Sequence, residues 1–307
     1  MKNKLLFYLL VGILFWGCGD DNEDTNNFIT LADNIEIVAL DYNIKKNGLT
    51  LESYTNCQDT TEICFCGRVD NKLWVGCYDK KTKNQILEWQ DTKNLETSVA
   101  LNIGYGEIKN FEIKNFLITG RPYLINKEEL IFIIWGCDSD ETGQQHIVSS
   151  NLYFIKNNKL LANYNSYTNY DSDFFYRITP WYEGVMANYN NEPIYTCYGS
   201  NGQSLYDVKS SIYVSFYPVN YYEYININPY NPPIARKNLQ TGETIWENTS
   251  VSMALPNLSR IDDTTLVKNT TEWIYTVKYT TIEGSKLVKT AKIDINTGEI
   301  EIEDTNQ

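Results

Sequence analysis

The chain has 307 residues, with 39 acidic against 26 basic side chains and a formal net charge of −13 at pH 7. This length supports a complete hydrophobic core in one or two domains. The negative field repels phosphate backbones and no basic stripe interrupts it, so we expect no nucleic acid as a partner. The 24 tyrosines, together with many threonine, isoleucine and valine residues, favour strands over helices.

The N-terminal residues have the three parts of an export signal. Lys2 and Lys4 form a positively charged start, residues 5–16 are apolar, and Gly17 is a small residue at the cleavage point. As a helix, this apolar segment spans about 18 Å, well short of the ~30 Å hydrocarbon core of a membrane. We therefore expect residues 1–17 to be a signal peptide that is removed.

Gly17 and Cys18 end the apolar segment and resemble the lipobox of bacterial lipoproteins. The two aromatic residues before Gly17 replace an aliphatic and a small residue, which is similar to the looser lipobox of Bacteroidetes. The acidic run at residues 19–24 resembles the signal that sends lipoproteins of that phylum to the cell surface. The resemblance implies lipidation of Cys18 and a lipid anchor in the outer membrane, with surface display. Residues 18–30 are then an acidic tether, or else a disordered spacer after an ordinary signal.

Residues 31–307 are predicted to form one all-β domain that begins near Ile35. Turn-forming pairs such as Asp70 with Asn71 and Asn157 with Asn158 separate short strand-like runs, so the pattern predicts hairpins. The predicted strands are residues 62–69, 73–78, 85–90, 130–135, 147–155, 212–217, 273–279, 286–293 and 299–303.

A weak internal repeat of strand, polar turn and strand occurs at residues 75–89, 234–247 and 290–304. Its second and third copies resemble the outer hairpin of quinoprotein-like β-propeller blades, which turns at Asx-x-x-Thr-Gly. The resemblance implies a β-propeller of five to seven blades, with a pair of β-sandwich sheets as the alternative. It covers the turns of the blades alone and therefore implies no quinone, so we expect no cofactor.

Six cysteines follow Cys18, and pairing is the default in an oxidising compartment. A two-residue turn at Asp70 and Asn71 places Cys64 opposite Cys77 on neighbouring strands, close enough for a disulfide. Cys66 shares a face with Cys64, and Cys57 is its candidate partner. Buried thiols are the alternative.

Fifteen tyrosines lie between residues 164 and 230. Three prolines at residues 229–233 predict a long loop over residues 221–233, and aromatic rings on a rigid loop can stack on a sugar or a protein. The alternative is that these rings form core and cross-strand pairs. The candidate ligand-binding residues are Trp181, Tyr222, Tyr224 and Tyr230.

Motifs for catalysis are weak throughout the chain. His146 is the single histidine, and no phosphate-binding loop or nucleophile elbow occurs. Residues 138–143 partly resemble a calcium loop, but Ser149 stands where the bidentate glutamate belongs, so we expect no metal. Thr60 and Thr264 lie in Asp-Thr-Thr sequences that resemble the O-glycosylation sequon of exported Bacteroidetes proteins.

The function predicted from these features is non-catalytic binding at the cell surface, either of glycans or of a host or envelope protein. A secreted glycan hydrolase on the same scaffold is one alternative, and it requires a deep cleft with two carboxylates. The other is a scaffold protein of an envelope complex, which requires a flat apolar patch.

Overall fold

The computed structural model describes residues 35–58, 60–102, 107–139, 145–167, 175–189, 194–209, 216–227, 234–249 and 255–306. Within these ranges the chain forms one short helix, five four-stranded antiparallel sheets and a two-stranded hairpin. In every four-stranded sheet the neighbouring strands are also consecutive in sequence. The fold is therefore all-β and propeller-like, as the turn repeat predicted.

The elements have the following bounds. The helix α1 (Ile35–Asp41) precedes sheet 1, which contains β1 (Leu49–Asn56), β2 (Glu62–Val69), β3 (Lys72–Asp79) and β4 (Gln85–Gln90). The hairpin β5 (Ser98–Asn102) and β6 (Ile108–Glu112) is followed by sheet 2 with β7 (Asn115–Ile125), β8 (Glu129–Ser139), β9 (Gln145–Lys156) and β10 (Lys159–Tyr167). Sheet 3 contains β11 (Phe175–Trp181), β12 (Gly184–Tyr189), β13 (Ile194–Tyr198) and β14 (Ser204–Lys209). Sheet 4 contains β15 (Phe216–Pro218), β16 (Glu223–Asn226), β17 (Ile234–Asn238) and β18 (Thr244–Asn248). Sheet 5 contains β19 (Leu258–Lys268), β20 (Glu272–Thr281), β21 (Lys286–Asp294) and β22 (Ile300–Asn306).

Two hairpins turn where the sequence predicted. Asp70 and Asn71 have φ values of 49° and 58°, and Asn157 and Asn158 have 49° and 60°. Positive φ at both central residues is what a tight two-residue hairpin requires, and Asn and Asp tolerate it. The first turn fixes the register of β2 and β3, so that Cys64 lies opposite Cys77.

The three repeat copies form one type of turn, in sheets 1, 4 and 5. In each copy the side chain of Asp79, Asn238 or Asp294 accepts hydrogen bonds from the backbone N–H groups two and three residues later. A threonine then accepts from the N–H two residues beyond it. The fifth position has positive φ, and it is Lys83, Gly242 or Gly298 in the three copies. The repeat is therefore a shared hydrogen-bonded turn between the third and fourth strands of a sheet.

The sheets pack face to face in chain order, and the first strands of sheets 1, 2 and 3 lie next to one another. One aromatic pair illustrates each interface, with these distances between ring centroids: Trp89 and Tyr153 5.7 Å, Phe154 and Tyr198 5.4 Å, Trp181 and Tyr224 6.4 Å, and Tyr217 and Tyr275 5.6 Å. Many of the tyrosines and tryptophans therefore pack between sheets, where large rings bury the most apolar area.

Sheet 1 is buried on both faces. Cys64 and Cys66 of β2 face the cluster shared with sheet 2, whereas Phe65 faces α1 and packs against Tyr42 at a centroid distance of 5.2 Å. Successive residues of a strand point to opposite faces, so a strand covered on both sides is a continuous apolar run. This explains the strong strand signal at residues 62–69.

Candidate functional site: a tyrosine surface on sheets 3 and 4

The turn between β15 and β16 has a backbone fixed by local hydrogen bonds. The side-chain oxygen of Asn220 accepts bonds from the N–H groups of Tyr222 and Glu223 at 2.8 and 3.0 Å. The N–H of Val219 donates to the carbonyl of Glu223 at 2.8 Å, and the carbonyl of Tyr222 accepts from Leu239 at 2.7 Å. With these donors and acceptors paired, the turn holds its two tyrosines in one arrangement.

Two side chains of sheet 3 donate hydrogen bonds to the same turn. The carbonyl oxygen of Tyr221 accepts a hydrogen bond of 3.0 Å from the indole N–H of Trp181. It also accepts a hydrogen bond from the hydroxyl of Tyr206. Trp181 is 1% exposed and Tyr206 is buried, so these donors lie in the interface between the sheets. The turn of sheet 4 is thus anchored to the core of sheet 3.

Three aromatic rings lie on the outside of this anchored region. Tyr182 and Tyr222 are 45% and 44% exposed, and Tyr221 is half-buried and packs against the cluster between sheets 3 and 4. The ring of Tyr182 meets that of Tyr221 edge to face at 5.0 Å, and Tyr222 stacks on Tyr206 at 5.1 Å. We call Tyr182, Tyr221 and Tyr222 the tyrosine surface.

Polar groups border the tyrosine surface. Burial raises the pKa of the Tyr221 hydroxyl above its ordinary value, hydrogen bonds to Ser200 oppose the increase, and the nearby charge of Glu183 adds to it. The hydroxyl therefore remains protonated at neutral pH. Asn201 and Gln203, on the turn that contains Ser200, are exposed. This combination of flat rings, hydroxyls, amides and one carboxylate can stack on an apolar face and hydrogen-bond around its rim.

Trp181 and Tyr224 are candidate ligand-binding residues from the sequence, but both side chains are buried, so this assignment is wrong for these two residues. Tyr224 is 8% exposed and stacks on Phe216 at 4.2 Å within the cluster between sheets 3 and 4. The predicted loop over residues 221–233 is also wrong in part, because Glu223–Asn226 forms β16. The three prolines follow this strand, so they remove no hydrogen-bond donor from it. Tyr222 is exposed, so its contact with a ligand stays a prediction, and Tyr230 lies outside the described residues.

Tyr182 and Tyr221 are not among the residues predicted from the sequence. Tyr182 occupies the turn between β11 and β12 with a φ of 53°, directly after the buried Trp181. The signal that could have identified it is the sequence Tyr-Glu-Gly between two strand-like runs, which is typical of a turn. Tyr221 lies in the tyrosine-rich segment beside Tyr222, and nothing in the sequence distinguishes the two.

One buried carboxylate, Glu52, lies between sheets 1 and 2. Burial is the main cause that raises the pKa of the Glu52 carboxyl above its ordinary value. Arg68 and a 2.6 Å hydrogen bond from the N–H of Phe116 oppose the effect of burial. Glu52 therefore joins sheets 1 and 2 in the interior, and this position suits a structural role better than acid–base chemistry.

The cysteines of sheet 1 lie close together. Cys64 and Cys77 form a disulfide with a Cα–Cα distance of 4.3 Å. Cys57 lies against Cys64, with 3.3 Å between the sulphur atoms, rather than against Cys66 as predicted. The reason is that Cys57 follows the end of β1, whereas Cys66 lies opposite Ser53 further along the strand pair. The sulphur atoms of Cys57, Cys64 and Cys77 lie within 4.8 Å of one another.

Some of the remaining predicted sites lie outside the residues that the structure describes. Cys18 and residues 1–30 lie outside the described residues, and so does part of the sequence at 138–143. Thr60 and Thr264 are both exposed, so their glycosylation stays a prediction. Among the described residues, no helix has the length and apolar character needed to cross a membrane.

Comparisons with known proteins give structural likenesses alone. No protein-family model matches the chain, and no curated protein matches it. Similar solved structures include a protein of unknown function from Bacteroides caccae, with 9% identity, a TM-score of 0.34, and 85% of this chain and 83% of that chain covered. A post-proline cleaving enzyme from Rickettsia typhi has 7% identity and a TM-score of 0.39, and the match covers 89% of this chain but 39% of the enzyme. The Dos1 propeller has 12% identity and a TM-score of 0.30, with 83% and 60% covered.

Proposed function

We propose that this chain is a lipid-anchored cell-surface protein that binds a ligand without chemical turnover, and that the tyrosine surface contacts the ligand. The observation that carries the proposal is the anchored turn. Tyr182 and Tyr222 expose nearly half of their surface while hydrogen bonds fix the backbone beneath Tyr221 and Tyr222. Rings that are already ordered lose little conformational entropy on binding, which favours affinity.

The ligand class best suited to this surface is a neutral glycan. The C–H face of a pyranose ring stacks on tyrosine, and its hydroxyls can bond to the hydroxyl and amide groups at the rim. The net charge of −13 and the nearby Glu183 disfavour an anionic ligand. A host or envelope protein is the alternative partner, because exposed tyrosines are also frequent in protein interfaces.

The anchor is proposed from the N-terminal sequence. A charged start, a short apolar segment and the pair Gly17 and Cys18 together favour acylation of Cys18 and attachment to the outer membrane, and the acidic residues 19–24 favour surface display. In cells fed an alkyne fatty acid, the wild-type protein should be labelled and membrane-bound, and Cys18→Ala should be unlabelled and released. An unlabelled wild-type protein would contradict the anchor.

Ligand binding is tested with a soluble form that begins at residue 25. Screened on a glycan array, this form should bind a family of related neutral glycans, and the soluble form of Tyr222→Ala should lose the signal. The matched control is Tyr167→Ala on β10 of sheet 2, since Tyr167 is 43% exposed but its hydroxyl donates to Glu96, which is not part of the tyrosine surface. A folded soluble form that binds no glycan contradicts the glycan ligand and favours the protein partner.

A further inference from the structure

Three cysteine sulphurs meet at one end of sheet 1. Cys57 follows β1, Cys64 lies on β2 and Cys77 on β3, and their exposed fractions are 1%, 0% and 0%. Cys64 and Cys77 share a disulfide, whereas Cys57 is a thiol in this structure. The Cys57 sulphur lies 3.3 Å from the Cys64 sulphur, which is contact distance for the attacking atom in a thiol–disulfide exchange.

We propose that Cys57, Cys64 and Cys77 form an internal disulfide-exchange site in which Cys64 pairs with either of the other two cysteines. Cys57 loses its proton, and its sulphur attacks the sulphur of Cys64. The bond between Cys57 and Cys64 forms as the bond between Cys64 and Cys77 breaks. The electron pair of the broken bond leaves with the sulphur of Cys77, which takes up a proton. One disulfide and one thiol are present before and after, so the step needs no oxidant or reductant.

Burial makes the exchange internal. All three sulphurs lie inside the cluster shared by sheets 1 and 2, which keeps bulky thiols of the solution away from them. Cys66 belongs to the same cluster but is hydrogen-bonded with Ser53, and it lies opposite Val75 rather than Cys77. Cys66 is therefore not one of the three cysteines of the exchange site. Cys57 is the cysteine whose sulphur lies close enough to react with Cys64.

The exchange changes which elements are covalently joined. The disulfide of the structure joins β2 to β3, whereas the alternative disulfide joins β2 to the turn that begins at Cys57. The next residue, Gln58, donates from its backbone N–H to the carbonyl of Pro122 on β7 at 3.0 Å, and from its side chain to that of Ile178 on β11 at 2.7 Å. In the alternative pairing, a disulfide thus joins β2 to the segment whose Gln58 contacts sheets 2 and 3.

The experiment identifies the pairing in full-length protein. Thiols are blocked with N-ethylmaleimide during unfolding at mildly acidic pH, and the protein is then digested with trypsin and a glutamate-specific protease. Cleavage after Glu52, Glu62, Arg68, Lys72 and Lys80 puts Cys57 in residues 53–62, Cys64 and Cys66 in residues 63–68, and Cys77 in residues 73–80. Fragmentation between Cys64 and Cys66 shows which of the two is linked.

Folded Cys77→Ser should contain peptide 53–62 linked through Cys64 to peptide 63–68. Wild-type protein held at pH 8.5 before blocking should contain this species beside the Cys64–Cys77 link, and Cys57→Ser should lose it completely. Cys66→Ser is the matched control, and it should keep both links. The proposal is overturned if peptide 53–62 is fully alkylated in wild-type protein at pH 8.5, whether or not Cys77→Ser folds.

Discussion

The indole N–H of Trp181 on sheet 3 donates a 3.0 Å hydrogen bond to the carbonyl oxygen of Tyr221 on sheet 4, 40 residues later in the chain. This bond connects the core of one sheet to the exposed turn of the next. It explains how the backbone of Tyr221 and Tyr222 is fixed while the ring of Tyr222 remains exposed. The buried tryptophan therefore supports the tyrosine surface without being part of it.

Replacing Trp181 with alanine should destabilise the protein by about 3 to 5 kcal/mol, because it leaves a large cavity and removes one donor from the carbonyl of Tyr221. Tyr182→Ala is the adjacent control, and it should cost less than about 1 kcal/mol because nearly half of this residue is already exposed. Urea denaturation of both variants measures the difference. Similar losses of stability would contradict the assignment of Trp181 to the core.

Gly298→Ala should be more destabilising than Gly242→Ala, although both glycines occupy the same position of the repeated turn with φ values of 76° and 73°. A Cβ at Gly242 has no atom within 4 Å, whereas one at Gly298 lies 2.8 Å from the ring of Trp246. Gly242→Ala should cost about 1 kcal/mol for its backbone conformation, and Gly298→Ala about 1 to 3 kcal/mol more for overpacking.

The same turn in sheet 1 has Lys83 with a φ of 62°, so an L-residue is tolerated there when space is available. Thermal or urea unfolding of the two alanine variants provides the comparison. Equal losses of stability in Gly242→Ala and Gly298→Ala would show that the side chain of Trp246 moves aside at little cost in free energy. The contact between Trp246 and Gly298 would then not hold sheets 4 and 5 together.

Asp294 should make the stability of sheet 5 sensitive to acid. Backbone N–H groups of Thr297 and Asn296 hold its carboxyl pKa below the ordinary value of 3.8. A lowered folded pKa means that the contribution is fully present above the unfolded pKa and is lost as the pH falls through the folded pKa. Asn238 makes the same two bonds in sheet 4 with an uncharged amide, so Asp294→Asn should keep the turn.

The measurement for Asp294 is a series of urea denaturations between about pH 2 and pH 6. The free energy of unfolding of Asp294→Asn should fall less steeply below pH 4 than that of the wild type. An unchanged slope would mean that the carboxylate bonds of this turn contribute nothing to folding stability.

Local turn chemistry makes part of this fold predictable. Asp70 and Asn71 form a two-residue turn, and such a turn leaves a single register, so the amino-acid sequence is enough to place Cys64 opposite Cys77. The Asx-x-x-Thr-Gly turns are likewise visible in the sequence, because their hydrogen bonds lie within six residues of one another.

The exposure of the aromatic residues is not predictable in the same way. Trp181 and Tyr182 are neighbours of similar character, yet one is buried and the other is exposed. Which of them is buried depends on where β11 ends and on how sheet 4 packs against sheet 3. That packing arises from contacts between residues far apart in sequence, such as Trp181 with Tyr221, and a single sequence contains no direct signal for them.

The tyrosine surface is tested most directly by the affinity of the soluble form for the glycan identified on the array. Tyr222→Ala and Tyr182→Ala should each bind about thirtyfold more weakly than the wild type, which corresponds to about 2 kcal/mol for a central aromatic contact, while unfolding at nearly the same temperature. Tyr167→Ala should bind like the wild type. Wild-type affinity in both Tyr222→Ala and Tyr182→Ala would contradict the central claim that these rings contact the ligand.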